Sequence, residues 1–329
     1  MLRQIAALSF GFVACVFAAE FALRGMPVAT GYHYLPMDAA NPVLRGTAHS
    51  PYVYSTGWNF RRARRGTLNN DGFPATYDYR NDAPARVLII GDSFVQAAAV
   101  TPGKRMHEQL TAQIAPAEAI ALSRAGGSLP DYLSMAEWGV ARYEPAVVVM
   151  LIVLGDVEES VVRKPGGYSF ARSGAGFELV RQDRPPASLL KRLLNESMLV
   201  RYAYDNLALH ARLGGTLPKV HVDSNTARGV SEYFLDGLAR HIPANKTILM
   251  FYRGRHSHSF ALEADIDALL AVARARGIRV MDLGPAFTAY ERSHPWRLDE
   301  APFDLHWNEL AHAYVAEQLA ETLRTIPES

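Results

Sequence analysis

The segment Arg86–Phe94, RVLIIGDSF, constrains the fold more than any other stretch of the chain. Val87–Ile90 is an unbroken run of branched apolar residues. That is the pattern of a strand buried on both faces, as in a parallel sheet. The run stops at Gly91 and leads into Asp92 and Ser93. A serine just past the C-terminal end of such a strand stands where open α/β sheets bind their ligands. Gly-Asp-Ser is also ordinary turn composition. The segment alone therefore leaves two readings, a polar turn and a nucleophile.

From Arg86 onward, strand and helix patterns alternate. Strands are expected at Val87–Ile90, Ala119–Leu122, Ala146–Leu154, Thr247–Tyr252 and Arg279–Leu283. Helices are expected at Met106–Ile114, Asp131–Arg142, Leu262–Arg276 and Asn308–Thr325. This alternation predicts an α/β fold: a three-layer α/β/α sandwich around a mainly parallel five-stranded sheet with right-handed crossovers. The rhythm breaks over residues 160–243. Gly166, Gly167, Gly174 and Gly176 suggest a loop, and Leu189–Leu207 and Ser231–His241 read as amphipathic helices. The stretch reads as an insertion on the strand ends, where loops tend to carry selectivity. The expected organisation is a signal anchor over 1–25, an extension of loops and short strands over 26–85, and the α/β domain over 86–329.

Ile5–Ala19 carries no charge, comes after Arg3, and continues past Glu20 through Phe21–Leu23 to Arg24. One basic residue ahead of an apolar stretch favours translocation of the residues C-terminal to it. The span just reaches membrane length, so an uncleaved signal anchor, or transmembrane helix, is the preferred reading. A cleaved signal peptide and a lipoprotein signal at Cys15 are the alternatives. Each puts the bulk of the chain outside the cytoplasm, and the preferred one gives a single-pass inner-membrane protein with a periplasmic domain. Within the extension, Arg61–Arg65, RRARR, reads as a solvated loop, with contact to anionic headgroups or an acidic polymer as the sharper alternative. Asn69-Asn70-Asp71-Gly72 is a turn signal.

A net charge of +1 lacks the basic excess of a nucleic-acid binder. The single cysteine, Cys15, excludes an intramolecular disulfide and a cysteine-built zinc site.

Polar residues recur where the strands end: Gly91-Asp92-Ser93, Gly126-Gly127, Gly155-Asp156, and Asp304-Leu305-His306 before the last helix. A parallel sheet brings such ends to one rim. A serine nucleophile needs a base, a carboxylate to orient the base, and donors for the oxyanion. Ser93, His306 and Asp304 have the right chemistry for the first three roles, and the N–H groups of Ser93 and Gly126 for the fourth. Histidine before a helix is commonly a surface residue, and Asp304 has the chemistry of a cap. His312 is a competing base, better read as a surface or packing residue of the last helix.

These blocks, in this order, resemble the SGNH hydrolase superfamily, also called GDSL-type esterases. The resemblance spans about Arg86 to Thr325 and rests on Gly91-Asp92-Ser93, Gly126, Leu154–Ser160 and the terminal Asp-His pair. The opening, with Glu20, Leu23, Arg24 and then the Asn69–Phe73 turn, is similar to a membrane-anchored bacterial branch. The resemblance implies Ser93 as nucleophile, Asp304 and His306 as the other triad members, and an oxyanion hole of Ser93, Gly126 and an asparagine. That asparagine would fall at Gly155, so one side-chain donor is absent. Arg253 or Arg255, after the fourth strand, is the candidate substitute, and Asp92 and Asp156 are supporting residues. The form DLHWN is similar to the alginate O-acetyltransferase branch. The resemblance implies a serine esterase or O-acyltransferase with no metal or organic cofactor. Its expected partners are an acyl ester or glycan substrate, the inner membrane and other polysaccharide-modification proteins. The alternative is a non-catalytic glycan-binding or assembly component.

Overall fold

The computed structural model describes residues 1–174, 176–186, 188–209, 222–254, 260–300 and 304–326. Compact packing divides the chain into two units: residues 1–32, 51–66 and 185–219, and residues 33–50, 67–184 and 220–329.

In the second unit, branched apolar runs form the strands β3 (Arg86–Gly91), β4 (Glu118–Ser123), β5 (Val147–Val153), β8 (Thr247–Tyr252) and β9 (Arg279–Asp282). Among the described residues they make one parallel five-stranded sheet in the order β4-β3-β5-β8-β9. The expected α/β fold with a parallel five-stranded sheet is the observed one. Alternate residues enter opposite layers. Leu88, Ile90, Val148 and Met150 face one core, and Val87, Ile89, Val149 and Leu151 the other. Helices close both layers. α4 (Leu129–Tyr143), α8 (Ser224–Ala239) and α9 (Phe260–Ala275) cover the first. α3 (Met106–Ile114), α10 (Leu283–Ser293) and α11 (Glu309–Arg324) cover the second.

β3 pairs with β4 on one side and β5 on the other, so the loops after all three strands meet at one edge. The order reverses between β3 and β5, the switch point at which open α/β sheets leave a crevice. The short helix α2 (Ser93–Gln96) starts there.

The glycines Gly167 and Gly176 do not mark a loop. They sit at the ends of an antiparallel hairpin of β6 (Gly167–Ser173) and β7 (Gly176–Gln182), in full register from Gly167↔Gln182 to Ser173↔Gly176. The Asn69–Gly72 turn forms as expected. Asn69 Oδ1 accepts from the N–H groups of Asp71 and Phe73. Gly72 has φ +80° and a Cβ there would lie 2.0 Å from the Gly46 carbonyl oxygen, so only glycine fits. Buried Asp71 accepts from Arg142 and the Tyr143 hydroxyl, each at 2.6 Å, fastening the turn to the end of α4.

The first unit holds α1 (Leu2–Arg24), the two-stranded sheet β1 (Pro51–Thr56) and β2 (Arg61–Thr67), α6 (Leu189–Glu196), α7 (Met198–Arg201) and a π-turn at Tyr202–Asn206. RRARR is therefore a strand rather than a loop. It pairs with β1 in a two-stranded ribbon, which gives no apolar alternation to read. α1 has 23 residues, none buried, and is long and apolar enough to cross a membrane. Asn206 joins three segments: its side chain accepts from Ala29 N–H and donates to Ser55 Oγ, and its carbonyl accepts from Gly57 N–H.

Candidate active site

Ser93 opens α2, directly after β3. Asp92 is the N-cap, its Oδ1 accepting the Phe94 N–H at 2.9 Å. A capping aspartate satisfies a helix-start donor and here fixes the turn that carries the serine. The Ser93 hydroxyl lies 2.7 Å from His306 Nε2. His306 Nδ1 lies 2.6 Å from Asp304 Oδ1, which also accepts the His306 backbone N–H at 3.1 Å. A carboxylate only accepts, so the proton sits on Nδ1 and the bare Nε2 accepts from the serine. A serine and a histidine 213 positions apart in sequence form one hydrogen-bonded line with the aspartate.

The serine, histidine and aspartate that the resemblance to SGNH hydrolases singles out are brought together at the C-terminal edge of the parallel sheet.

No protein-family model matches the sequence, and no curated protein does. Solved structures similar to this chain include a lipase/acylhydrolase from Enterococcus faecalis at 12% identity. It covers 74% of this chain and 100% of its own, with a TM-score of 0.44. A member of the lipolytic G-D-S-L family from Veillonella parvula is 13% identical, covering 73% and 99%, with a TM-score of 0.41. An acetyl xylan esterase is 14% identical, covering 72% and 99%, with a TM-score of 0.42.

The imidazole is held by packing as well as by Asp304. The Phe94 ring lies 4.8 Å from it and also meets Trp307 and Tyr252. Trp307 is buried, and a bridge from Asp299 to Trp307 ties down the segment carrying the Asp-His pair. Asn308 then caps α11 through the Ala311 N–H. Burial alone would lower the His306 pKa, but the hydrogen bond and charge of Asp304, with the charge of Asp92, raise it above the ordinary histidine value. Asp92 is pushed up to about 6 by burial, against the pull of the Phe94 N–H and the His306 charge.

Gly126 follows β4 with φ +66°, and a Cβ there would meet nothing within 4 Å, so the space beside its backbone is open. Its carbonyl accepts from Lys164 Nζ at 2.8 Å and from Arg124 at 3.3 Å. Lys164 is itself buried and ion-paired with Glu159. These contacts fix the loop after β4. Neither Lys164 nor Glu159 was singled out by the sequence. One lysine in a glycine-rich stretch has no pattern to mark it.

Gly155 follows β5 as the N-cap of α5 (Asp156–Glu159), with φ +101°. A Cβ there would lie 3.7 Å from Glu159 Oε1, an ordinary contact. The position is open, and the asparagine expected there by resemblance is absent. Asp156 turns inward, accepting from Val153 N–H at 2.9 Å and from the Tyr132 hydroxyl at 3.4 Å. Burial, then the Asp92 charge, holds its carboxyl well above the usual range, and its hydrogen bond from Val153 supports the end of β5.

Arg253 follows β8 as expected but pairs with Asp267 at 2.7 Å and Asp282 at 3.8 Å. Arg255 lies outside the described residues. His312 is buried, and its Nδ1 accepts the Met106 N–H, which makes it a packing residue between α11 and α3. Among the described residues no cluster of side chains could hold a metal ion.

Proposed function

We propose that the chain is a serine-dependent enzyme that cleaves acyl esters through an acyl-enzyme on Ser93. The observation that carries this reading is the line Ser93 Oγ–His306 Nε2 at 2.7 Å and His306 Nδ1–Asp304 Oδ1 at 2.6 Å. Ser93 Oγ attacks the ester carbonyl as its proton passes to Nε2. Asp304 holds the tautomer and stabilises the imidazolium. The oxyanion is met by the N–H groups of Ser93 and Gly126, with the peptide after Gly126 steadied by Lys164. The imidazolium then protonates the departing alkoxide, leaving acyl-serine. Water, activated by the same imidazole, releases the acid; a sugar hydroxyl in its place completes an O-acyl transfer.

The finer reading is an inner-membrane protein, held by α1, whose extracytoplasmic domain acts on acyl groups of an envelope or exported polysaccharide. The apolar span and the DLHWN form support it. The bare Gly155 favours the second reading, a catalytically impaired member that binds glycan or serves in assembly of a polysaccharide-modification machine.

A fluorophosphonate probe separates the two. Labelling of the wild-type chain, lost in Ser93→Ala, supports the enzyme. An unlabelled wild type that is folded leaves the binding role.

A further inference from the structure

α6 is built in two halves. At 100° per residue, Leu189, Leu190, Leu193 and Leu194 fall within one 140° arc, and Lys191, Arg192, Asn195 and Glu196 fill the opposite side. All eight residues are exposed, with Leu189 at 70%, Leu190 at 66% and Leu193 at 62%. Scattered exposed leucines are ordinary; four on one face of a single short helix form a patch that calls for cover. Eight residues are also too few to hold a helix in water unaided.

Two observations say what covers it. The first is a tether. Glu20, near the C-terminal end of α1, accepts from Ser197 Oγ at 2.8 Å, Met198 N–H at 3.1 Å and Leu199 N–H at 2.9 Å. These residues come directly after α6. Glu20 is four residues from Arg24, about 6 Å along the helix axis, so α6 ends where α1 ends its apolar span. The second is charge. The first unit holds eleven Lys and Arg against three Asp and Glu, leaving 23 against 30 from the chain's 34 and 33 for the second. A nearly neutral chain is split into a basic unit around the apolar helix and an acidic unit around the sheet. Trp58, in the same basic unit, is 73% exposed, a residue type enriched at membrane interfaces.

We propose that α6 lies in the plane of an anionic bilayer surface, its leucines toward the acyl chains, at the interface where α1 ends. The basic charge of the first unit holds it on anionic headgroups, and the acidic charge of the second is repelled from them. This rests on the reading of α1 as a membrane anchor.

The test uses the full chain with Cys15→Ser, carrying either Leu193→Cys or Asn195→Cys labelled with an environment-sensitive fluorophore. Each is reconstituted into phosphatidylcholine–phosphatidylglycerol vesicles. Flotation reports the anchor; quenching by aqueous iodide and by nitroxide-bearing lipid reports the face. The expected result is co-flotation, with position 193 several-fold better protected from iodide than 195 and quenched by the lipid nitroxide. Co-flotation with equal iodide access at both positions overturns the proposal and leaves the anchor standing. Protection of 193 from both quenchers means that a second copy or another protein covers the leucines, and also overturns it. Loss of co-flotation removes the anchor and the proposal together. In vesicles of phosphatidylcholine alone, protection at 193 should drop; undiminished protection overturns the role of anionic lipid.

Discussion

At the residue scale the candidate site is one hydrogen-bonded line, and its members should fail together. Ser93→Ala and His306→Ala are each expected to abolish turnover of short aryl esters, with the double variant little worse than either, because groups acting as a unit are non-additive. Multiplying losses in steady-state kinetics would break the pair. His306 is held above its ordinary pKa chiefly by Asp304 acting against burial, and the base must be neutral to accept the serine proton. The rate kcat/KM should therefore fall as pH drops below a midpoint above 6.5. Asp304→Asn should lose rate and move that midpoint down. Gly155→Asn tests the missing donor: the position has room, and its φ of +101° is the cost. Losing one oxyanion donor typically costs about 10²–10³ in rate, so partial recovery should raise kcat and kcat/KM together, about tenfold, with KM little changed. A fall in activity without a fall in melting temperature would show that the open space admits substrate or another donor. The hydrogen-bonded line was legible because serine, histidine and aspartate stand at strand ends and before a helix. Lys164 and Glu159 were not, because their meaning lies in a contact with the Gly126 carbonyl that no local pattern encodes.

At the element scale, the strands of the sheet were readable because both faces are buried, leaving no polar position in runs such as VVVMLIV. β2 was not, because a two-stranded ribbon of arginines buries neither face. The packing of α3 on α11 hides a pair of buried histidines, His107 and His312. Burial, then neighbouring charges, lowers His312 to about 3, and burial lowers His107 to about 4. Both are neutral in the folded chain and protonate more readily when it unfolds. The unfolded state thus binds more protons between pH 6.5 and these values, and stability contributed here is lost as pH falls through that window. His107 alone accounts for about 3 kcal/mol across it. Asp92, raised to about 6, and Glu158, raised to about 7, both chiefly by burial, act with the opposite sign, losing stability as pH rises from about 4. His107→Leu should flatten the acid limb in denaturant titrations at pH 7.5, 6 and 5, while Glu158→Gln should flatten the opposing one. An unchanged pH slope in His107→Leu would remove that histidine from the balance.

At the scale of the whole molecule, one carboxylate joins parts of the chain that the sequence keeps far apart. Residues 185–219, within the stretch 160–243 that reads as an insertion on the strand ends, pack in one unit with the N-terminal helix. The link is Glu20, which accepts three hydrogen bonds from Ser197, Met198 and Leu199 while pairing with Arg24. Backbone N–H groups 178 and 179 positions away leave no trace in composition or period. Glu20 therefore has a structural use that a cleavable leader does not need, and it lies just past Ala19, where the small residues of a signal cleavage site would end. Mass spectrometry of the membrane-purified chain is expected to find Glu20 and the helix ahead of it retained, and a mature start beyond Ala19 would contradict this. Glu20→Ala should leave the start of α7 without its acceptor. Hydrogen bonds to a charged group are worth about 1.5–3 kcal/mol each, so the loss should open residues 185–209 locally rather than unfold the sheet, whose core lies in the other unit. Limited proteolysis of the full chain in detergent should cut within that stretch several-fold faster in Glu20→Ala, and Glu20→Gln, which retains an accepting oxygen, should restore part of the protection. Equal cleavage rates in wild type and Glu20→Ala would show that the packing of α1 on α7, not the carboxylate, holds the unit together.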